Sequence, residues 1–337
     1  MLRKTLTPLR LGLAATALGI TLPAWSLNIL VTNDDSCTAE GINVLMDALE
    51  AAGHTVTMYA PAGEQSGRGG AISTNIGANF GISNVGFHGP TSADNRYCVR
   101  IPAENPAEGA EDEEITISAS PKDSALVGLA LMADNPPDLV VSGMNDGQNI
   151  GKGAYSSGTV GAAVAAVEKG YPAIAVSHNR FTAEDGMSFA ALANFVVDVI
   201  AELEAGRTDG APLLPPGTGL NINNPVGPPR GIAHTTLGQL DLKFGPNTNG
   251  EGGAAVLFEG ILSLGELVGE AQAEALAANP DATVEDFANA GLDTNDEASM
   301  SVAGYITITT LDGDLTAGLR KRELMALKLR ELGAGGE

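Results

Sequence analysis

The chain has 337 residues, of which 18 are Lys or Arg and 41 are Asp or Glu, and its formal net charge is −23 at pH 7. Such a negative field repels phosphate backbones, which argues against duplex nucleic acid as a partner. It also favours solubility, and it still permits a small phosphorylated substrate wherever a metal ion and backbone amides reverse the potential locally. The length suits one large α/β domain or a domain with an appended subdomain.

Residues 1–26 have the pattern of a secretory signal peptide. Arg3, Lys4 and Arg10 precede the apolar stretch 11–22, and Ala24-Trp25-Ser26 places small residues at the −3 and −1 positions of a cleavage site. The apolar stretch is shorter than the roughly 20 residues that span a bilayer, so an uncleaved anchor is the weaker alternative. We therefore expect an exported protein, periplasmic or secreted, without a stable membrane anchor after cleavage.

The two cysteines, Cys37 and Cys98, are the only ones in the chain. In an oxidising compartment they could pair and close a loop of about 60 residues, worth about 4 kcal/mol in the chain-entropy model. Two unpaired buried thiols are the alternative, and the sequence does not choose between them.

Alternating strand and helix patterns follow the N-terminal segment and predict an α/β fold with a parallel sheet. The predicted strands cover residues 28–32, 55–60, 115–118, 138–142, 173–177 and 219–223. The predicted helices cover 41–52, 122–133, 159–169 and 183–205. The segment 74–115 is less regular, and we interpret it as strand pieces and a solvated loop that contains the acidic run 111–114.

The same patterns divide the chain into a signal peptide at 1–26, a catalytic domain at 27–225 and a C-terminal extension at 226–337. The extension contains strand candidates at 254–258 and 304–310, an Ala/Glu-rich helical stretch near 265–290 and a terminal helix at 318–332. Such an appendage commonly caps a site or makes an oligomer contact.

Four polar clusters follow predicted strands or begin predicted helices. They are Thr32-Asn33-Asp34-Asp35, Gln65-Ser66-Gly67-Arg68-Gly69-Gly70, Ser142-Gly143-Met144-Asn145-Asp146-Gly147 and Ser156-Ser157-Gly158-Thr159. Because the carboxyl ends of parallel strands converge on one crevice, we expect a metal and phosphate site there.

Each cluster also has an ordinary structural interpretation. Asp34 and Asp35 offer hard oxygen ligands for Mg²⁺, Mn²⁺ or Ca²⁺, but Asn and Asp also cap helices. Asn145 offers a neutral amide oxygen, but Asn-Asp-Gly is a strong turn signal. Ser157-Gly158-Thr159 could present amides and hydroxyls to a phosphate, or be a plain cap.

Two other side chains are weaker candidates. Arg68 could clamp an anion or be a surface charge. His178 is the histidine expected closest to the crevice, where a cap or surface position is the alternative.

In their order, these segments resemble the SurE family of survival nucleotidases. The resemblance spans about 27–225 and rests on Ile29-Leu30-Val31-Thr32-Asn33-Asp34-Asp35, Ala60-Pro61 leading to Ser66-Gly67, Pro136-Pro137-Asp138-Leu139-Val140-Val141-Ser142-Gly143-Met144-Asn145, Ser157-Gly158-Thr159-Val160, Ala173-Ile174-Ala175-Val176-Ser177 and Leu220-Asn221-Ile222-Asn223. It extends weakly to Gly304-Tyr305-Ile306-Thr307-Ile308-Thr309.

The resemblance implies a Rossmann-like three-layer sandwich with a mostly parallel sheet, a C-terminal oligomerisation or cap extension, and a homodimer or homotetramer. It implies one divalent cation, Mg²⁺, Mn²⁺ or Ca²⁺, on Asp34, Asp35, Ser66 and Asn145, with Asp34 and Asp35 also catalytic. Around the phosphate it places Asn33, Gly69, Gly70, Ser157, Gly158 and Thr159.

Three segments depart from the family pattern. Arg68-Gly69-Gly70-Ala71 stands where members carry a Thr-Gly-His-Ser-like stretch, Ala119-Ser120-Pro121-Lys122-Asp123 replaces a Gly-Thr-Pro-Ala-Asp-like segment, and Ser36-Cys37 follows Asp35 where Gly is usual. All four implied metal ligands are present.

The sequence therefore predicts a metal-dependent phosphomonoester hydrolase, a 5′-nucleotidase, that attacks nucleoside 5′- or 3′-monophosphates, or another small phosphomonoester, with water. An exported binding protein for a phosphorylated or other anionic small molecule is the alternative. A structural or degenerate member is a third interpretation, which the intact ligand set disfavours.

Overall fold

A computed structural model of the chain describes residues 26–73, 79–84, 95–102, 116–208, 210–246, 254–259, 263–314 and 319–328. Residues 1–25 of the predicted signal peptide 1–26, and the acidic run 111–114, lie outside these residues. None of the helices in the described ranges combines the length and apolar composition needed to cross a membrane.

The strands, in chain order, are β1 Asn28–Thr32, β2 Thr55–Pro61, β3 Gly81–Asn84, β4 Arg96–Pro102, β5 Thr116–Ser118, β6 Leu139–Asp146, β7 Ala173–His178, β8 Thr218–Asn223, β9 Ile232–Thr235, β10 Asp241–Pro246, β11 Ala254–Glu259 and β12 Ile306–Asp312. The helices are α1 Glu40–Ala51, α2 Pro121–Leu131, α3 Gly158–Glu168, α4 Phe189–Ala205, α5 Leu264–Val268, α6 Glu270–Ala278, α7 Val284–Asn289, α8 Glu297–Val302 and α9 Leu319–Lys328, with a 3-10 helix at Gly151–Tyr155.

Within the described residues, ten strands form one mixed sheet. Nine of them follow the order β3-β4-β2-β1-β6-β7-β8-β12-β9, and the tenth, β5, pairs with the C-terminal residues of β4. The pairs from β4 through β8 are parallel, whereas β3, β5 and β12 run antiparallel to their neighbours β4 and β8. The predicted mostly parallel sheet is confirmed. The hairpin of β10 and β11 forms a separate two-stranded sheet.

Alternate residues of the central strands enter two apolar layers, one on each face of the sheet, as the period of two in a strand requires. Ile29 and Val31 pack with helices α1 and α4, whereas Leu30 packs with α2 and α3. Each layer buries apolar side chains at roughly 25 cal/mol per Å² removed from water. The three-layer sandwich that the sequence predicts is therefore confirmed.

The main sheet does not end at residue 225, where we placed the end of the catalytic domain. Strand β12 pairs antiparallel with β8 from Asp312↔Thr218 to Thr307↔Asn223, and β9 pairs parallel with β12. The rest of the extension, α5 to α8, packs around its own small core with the fully buried Phe287. The C-terminal segment is thus partly a lobe of its own and partly a component of the sheet, while the division into domains stays a prediction.

Several element boundaries differ from the sequence-based ones. Strand β6 runs to Asp146 rather than Ser142, because the pairing with β7 resumes at Asn145↔Ser177 after an irregularity. Helix α4 begins at Phe189 rather than near Ala183, because Ser188 caps it by accepting from the Ala191 amide. The predicted helical stretch 265–290 is three short helices, interrupted at Gly269 and at 279–283.

Cys37 and Cys98 form a disulfide whose Cα atoms are 5.3 Å apart. The Cys37 amide also donates to the Pro61 carbonyl at 2.8 Å. The bridge therefore ties the loop that follows β1 to strands β2 and β4, and it decides in favour of the paired reading of these two cysteines.

We expect the disulfide to stabilise the fold, because it restricts the unfolded chain by closing a loop across a sequence separation of 61 residues. In the chain-entropy model its loss costs about 4 kcal/mol. Urea unfolding with and without reductant measures this, with the double variant Cys37→Ala/Cys98→Ala as the control that reductant leaves unchanged. Equal midpoints for the oxidised and reduced wild type would contradict the expectation.

Candidate active site

The predicted site residues gather at the carboxyl ends of β1 and β6. These strands are parallel neighbours, with Thr32 opposite Ser142. The chain leaves β1 toward β2 on one side, whereas β6 and β7 lie on the other, so the direction of winding reverses between β1 and β6. In open α/β sheets such a switch point is where ligands bind.

Asp34 is almost completely buried at this point. Its Oδ1 accepts a hydrogen bond of 2.5 Å from the Thr159 hydroxyl, and its backbone carbonyl accepts from the Gln65 amide at 2.8 Å. Burial raises the pKa of Asp34, and the Thr159 bond opposes that rise. Asp34 thus connects the loop after β1 with the loop at 64–70 and with the start of α3.

Asp35 lies beside it and accepts from the Asp146 amide at 2.9 Å. Burial, followed by repulsion from Asp34, Glu64 and Asp146, raises the pKa of Asp35 to about 7, although the Asp146 amide acts in the opposite direction. No Lys, Arg or His side chain of the described residues forms an ion pair with Asp34 or Asp35. Within the described residues, the two carboxylates therefore lie close together without an ion pair to a protein cation.

A bulge in β6 sets the position of Asn145. The register with β7 shifts between Ser142 and Asn145, and Gly143 has φ +139°, where a Cβ would lie 2.3 Å from the Val176 carbonyl oxygen. Bulges re-aim the side chains that follow them. The Asn145 Nδ2 donates to the Gly147 carbonyl at 2.6 Å, which leaves its Oδ1 available as a ligand. Asn145 thus belongs to strand β6, which corrects the predicted strand end at residue 142 and the turn suggested by Asn-Asp-Gly.

The loop at 64–70 lies against the start of α3. Gly69 is buried, and a Cβ on Gly161 would lie 2.2 Å from the Gly69 carbonyl oxygen. Ser66 is exposed, and its amide donates to Glu64 Oε1 at 2.7 Å. Arg68 and Gly70 are exposed as well. The structure thus places Gly69 against the helix start, whereas Ser66, Arg68 and Gly70 face outward.

The segment Ser157-Gly158-Thr159 begins helix α3. Ser157 is an ordinary cap, since its hydroxyl accepts from the Val160 amide at 3.1 Å. Gly158 packs directly on Asp34, where a Cβ would lie 2.7 Å from the Asp34 Cβ. The first amides of a helix lack intrahelical partners, so the end of α3 beside Asp34 suits an anion.

Asn33 is fully buried, and its Nδ2 donates to the Ser36 carbonyl at 2.9 Å while its Oδ1 has no partner. Ser36 adopts φ +129°, a conformation that favours glycine. Ser36 is one of the three departures from the family pattern, which has Gly at this position. Its backbone nevertheless keeps a conformation typical of Gly. The Ser36 hydroxyl compensates in part by accepting from the Thr38 amide at 3.1 Å.

The second departure, Ala119 to Asp123, is a capping box for α2. Ser120 accepts from the Asp123 amide at 3.0 Å, and Asp123 Oδ2 accepts from the Ser73 amide at 2.7 Å. The segment therefore secures the end of the loop that contains Ser66.

Not all predicted residues make direct contacts. Asp34, Gly158 and Thr159 touch one another, but the side chains of Ser66 and Asn145 form no hydrogen bond with either carboxylate in the part that the structure describes. His178 Nε2 lies 2.7 Å from the Met187 carbonyl, and its ring packs on Phe189 at 4.3 Å. His178 is therefore engaged away from the carboxylates.

Comparison with known proteins identifies the family of the chain. Residues 29–243 match the family model described as Survival protein SurE. The chain belongs to the SurE family. Among its relatives are proteins named 5′-nucleotidase SurE from Thermosynechococcus vestitus (34% identical over 63% of this chain and 68% of the relative), Lawsonia intracellularis (32%, 59% and 66%) and Gloeothece citriformis (33%, 59% and 62%). The last two alignments cover slightly less than two thirds of each relative.

A solved SurE structure from Aquifex aeolicus has the same fold. The two superpose with a TM-score of 0.62 over 89% of this chain and 99% of the other, at 22% identity. The resemblance and the fold that the sequence predicted are thereby confirmed.

Five polar residues near the SurE-type site were given no role from the sequence: Glu64, Asn149, Asn221, Asn223 and Glu297. Asn221 and Asn223 alternate along β8 and were visible as a motif in the sequence. Alternation alone does not reveal that their partner is Glu297, which is 74 residues after Asn223. Glu297 Oε1 accepts from Asn221 at 3.0 Å and from Asn223 at 3.2 Å, and its Oε2 accepts from the Gly151 amide at 3.2 Å. Glu297, at the start of α8, thus joins the C-terminal segment to the loop that follows β6.

We expect Gly158→Ala to destabilise the fold by about 1–3 kcal/mol, the usual cost of overpacking. The added Cβ would lie 2.8 Å from Asp34 Oδ2 and 2.8 Å from Pro121 Cγ. Gly153→Ala is the matched control, because a Cβ there has no neighbour within 4 Å. Urea unfolding of both variants measures the difference, and equal stability would show that Asp34 is not held against α3 in this way.

Glu297 predicts a pH-dependent stability. Burial raises its pKa from 4.5 to about 8, against the four hydrogen bonds that favour the ionised form. Between these pH values the folded chain binds more protons than the unfolded chain. The contribution of Glu297 to the free energy of unfolding is therefore complete below pH 4.5 and is lost as the pH rises through 8. The slope approaches about −1.4 kcal/mol per pH unit.

Urea unfolding across this pH range tests the prediction. Glu297→Gln should remove that part of the slope, because an amide does not titrate. Parallel curves for the wild type and the variant would rule out the raised pKa.

Proposed function

We propose that the chain is a metal-dependent phosphomonoester hydrolase, a 5′-nucleotidase that acts on nucleoside 5′- or 3′-monophosphates. The observation that carries the proposal is the pair of buried Asp34 and half-buried Asp35 beside the N-terminal end of α3, neither of which is ion-paired with a cation of the described residues. The relatives named 5′-nucleotidase SurE support it.

The residues fit a divalent cation. Carboxylate, hydroxyl and amide oxygens are the ligands that Mg²⁺, Mn²⁺ and Ca²⁺ prefer. The described residues contain no group of three or more His, Cys, Asp or Glu arranged for a metal, and the proposed set has two carboxylates, a hydroxyl and an amide. Asp34, Asp35, Ser66 and Asn145 would hold one ion, and a cation would offset the repulsion that raises the pKa of Asp35.

Such an ion, when bound, supplies charge stabilisation at the phosphate and a more acidic water. The chain itself would orient the phosphate through the N-terminal end of α3 and through Gly69, Gly70, Ser157, Gly158 and Thr159. Buried Asn33 would act by holding the turn at Ser36. Asp34 would serve as base or nucleophile, and the Thr159 hydrogen bond keeps its carboxylate oriented.

We also propose that the mature protein is exported to the periplasm or secreted. The N-terminal pattern of residues 1–26 and the disulfide between Cys37 and Cys98 support this, because disulfides persist in oxidising compartments. We further propose a homodimer or homotetramer. Helix α9 supports it by exposing Leu324, Met325 and Leu327, apolar side chains that an interface would cover.

We expect Asp34→Asn and Asp35→Asn each to lower the rate of phosphate release by at least about 100-fold. Each variant removes one negative charge from the proposed metal site, and the bound ion would supply several kcal/mol of transition-state stabilisation. The assay uses nucleoside 5′- and 3′-monophosphates and p-nitrophenyl phosphate with Mn²⁺ or Mg²⁺. Asp134→Asn, at an exposed turn position, is the matched control.

Thermal unfolding verifies that each variant is folded. Full activity in EDTA, or in both site variants, would refute the metal site. A wild-type chain that binds these phosphates tightly and hydrolyses none would favour a binding protein instead.

A further inference from the structure

Asn149, in the loop after β6, lies next to the Thr159 hydroxyl that contacts Asp34. Its Nδ2 donates to Thr159 Oγ1 at 3.2 Å and to Ser177 Oγ at 2.8 Å. Thr159 in turn donates to Asp34 Oδ1. A hydroxyl has a single proton, so accepting from Asn149 leaves the Thr159 proton directed at Asp34.

Both the backbone amide and the backbone carbonyl of Asn149 are hydrogen-bonded to side chains of β8. Its amide donates to Asn223 Oδ1 at 2.8 Å, and its carbonyl accepts from Asn221 Nδ2 at 2.8 Å. Glu297 accepts from the Nδ2 atoms of both asparagines, which fixes the orientation of their amide groups. All three of these side chains are fully buried, so the anchorage is rigid.

The Thr159 hydroxyl depends on Asn149 for its orientation. Thr159 is the second residue of α3, so no carbonyl of the same helix lies three or four residues before it to hold the hydroxyl instead. Without the Asn149 donor the hydroxyl is free to rotate about its C–O bond. A rotated hydroxyl would leave Asp34 Oδ1 buried without its donor, at the position where the proposed ion requires an ordered carboxylate.

We propose that Asn149 is a positioning residue for Asp34, which acts by directing the Thr159 hydroxyl and is itself held by Asn221, Asn223 and Glu297. The inference rests on the proposed function, because it concerns the carboxylate assigned there to the ion. It adds a connection from the C-terminal segment, through five side chains and the Asn149 backbone, to the site.

The test compares Asn149→Ala, Thr159→Val and the double variant in the full chain. Mn²⁺ affinity by calorimetry, together with kcat and KM for a nucleoside 5′-monophosphate, are the readouts. We expect Asn149→Ala to weaken Mn²⁺ affinity and to lower kcat by about 10-fold each, in the range typical of residues that orient a metal ligand, with KM little changed. Asn135→Ala, at an exposed turn, is the matched control and leaves both unchanged.

The double variant separates positioning from a general loss of stability. If Asn149 acts through Thr159, adding Asn149→Ala to Thr159→Val causes no further loss, whereas independent effects multiply. Multiplying effects, or a folded Asn149→Ala protein with wild-type Mn²⁺ affinity and kcat, would overturn the proposal.

A second variant keeps the test decisive if Asn149→Ala does not fold. Ser177→Ala removes the other acceptor of the Asn149 side-chain Nδ2 and should weaken Mn²⁺ affinity by about threefold, an effect absent in the Thr159→Val background. An unchanged affinity, or a loss that persists in that background, would count against the inference.

The Mn²⁺ measurement also separates the two proposals. A wild type that binds Mn²⁺ but hydrolyses no phosphomonoester refutes the proposed function alone, and the positioning role is then judged on affinity. A wild type that does neither refutes both.

Discussion

The hydrogen bond from Thr159 to Asp34 joins the two halves of the site, and the arrangement around it depends on that contact. Asp34 follows β1 and Thr159 begins α3, which are 125 residues apart in sequence. A carboxylate this deeply buried needs a donor, and Gly158 allows the helix to come close enough to supply one. The close approach also brings the first amides of α3 to the side of Asp34.

The C-terminal segment contributes more to this region than an appendage would. Strand β12 extends the sheet beyond β8, and Glu297 accepts hydrogen bonds from two asparagines of β8 and from the Gly151 amide. Because these groups are buried together, displacement of α8 would leave several polar atoms without partners. The loop after β6 is therefore held by side chains of β8 and α8, which lie far from it along the chain.

Much of the fold could be predicted from local patterns. Apolar runs such as Leu139 to Val141 are typical of strands buried on both faces, and α1 has apolar residues at helical spacing toward the sheet. Boundaries were less predictable where tertiary contacts override local preference. The bulge at Gly143 extends β6 past its expected end, and it depends on the neighbouring strand β7, which the local sequence does not reveal.

By itself, the sequence determined the alternating α/β architecture, the family and the residue types gathered at the strand ends, because periodicity and motif order are local properties of the chain. Only the tertiary structure decided that Cys37 pairs with Cys98, that Thr159 donates a hydrogen bond to Asp34, and that Glu297 accepts hydrogen bonds from the asparagines of β8. Each of these contacts joins residues distant in sequence, so its partner is chosen by packing of the whole sheet rather than by neighbouring residues.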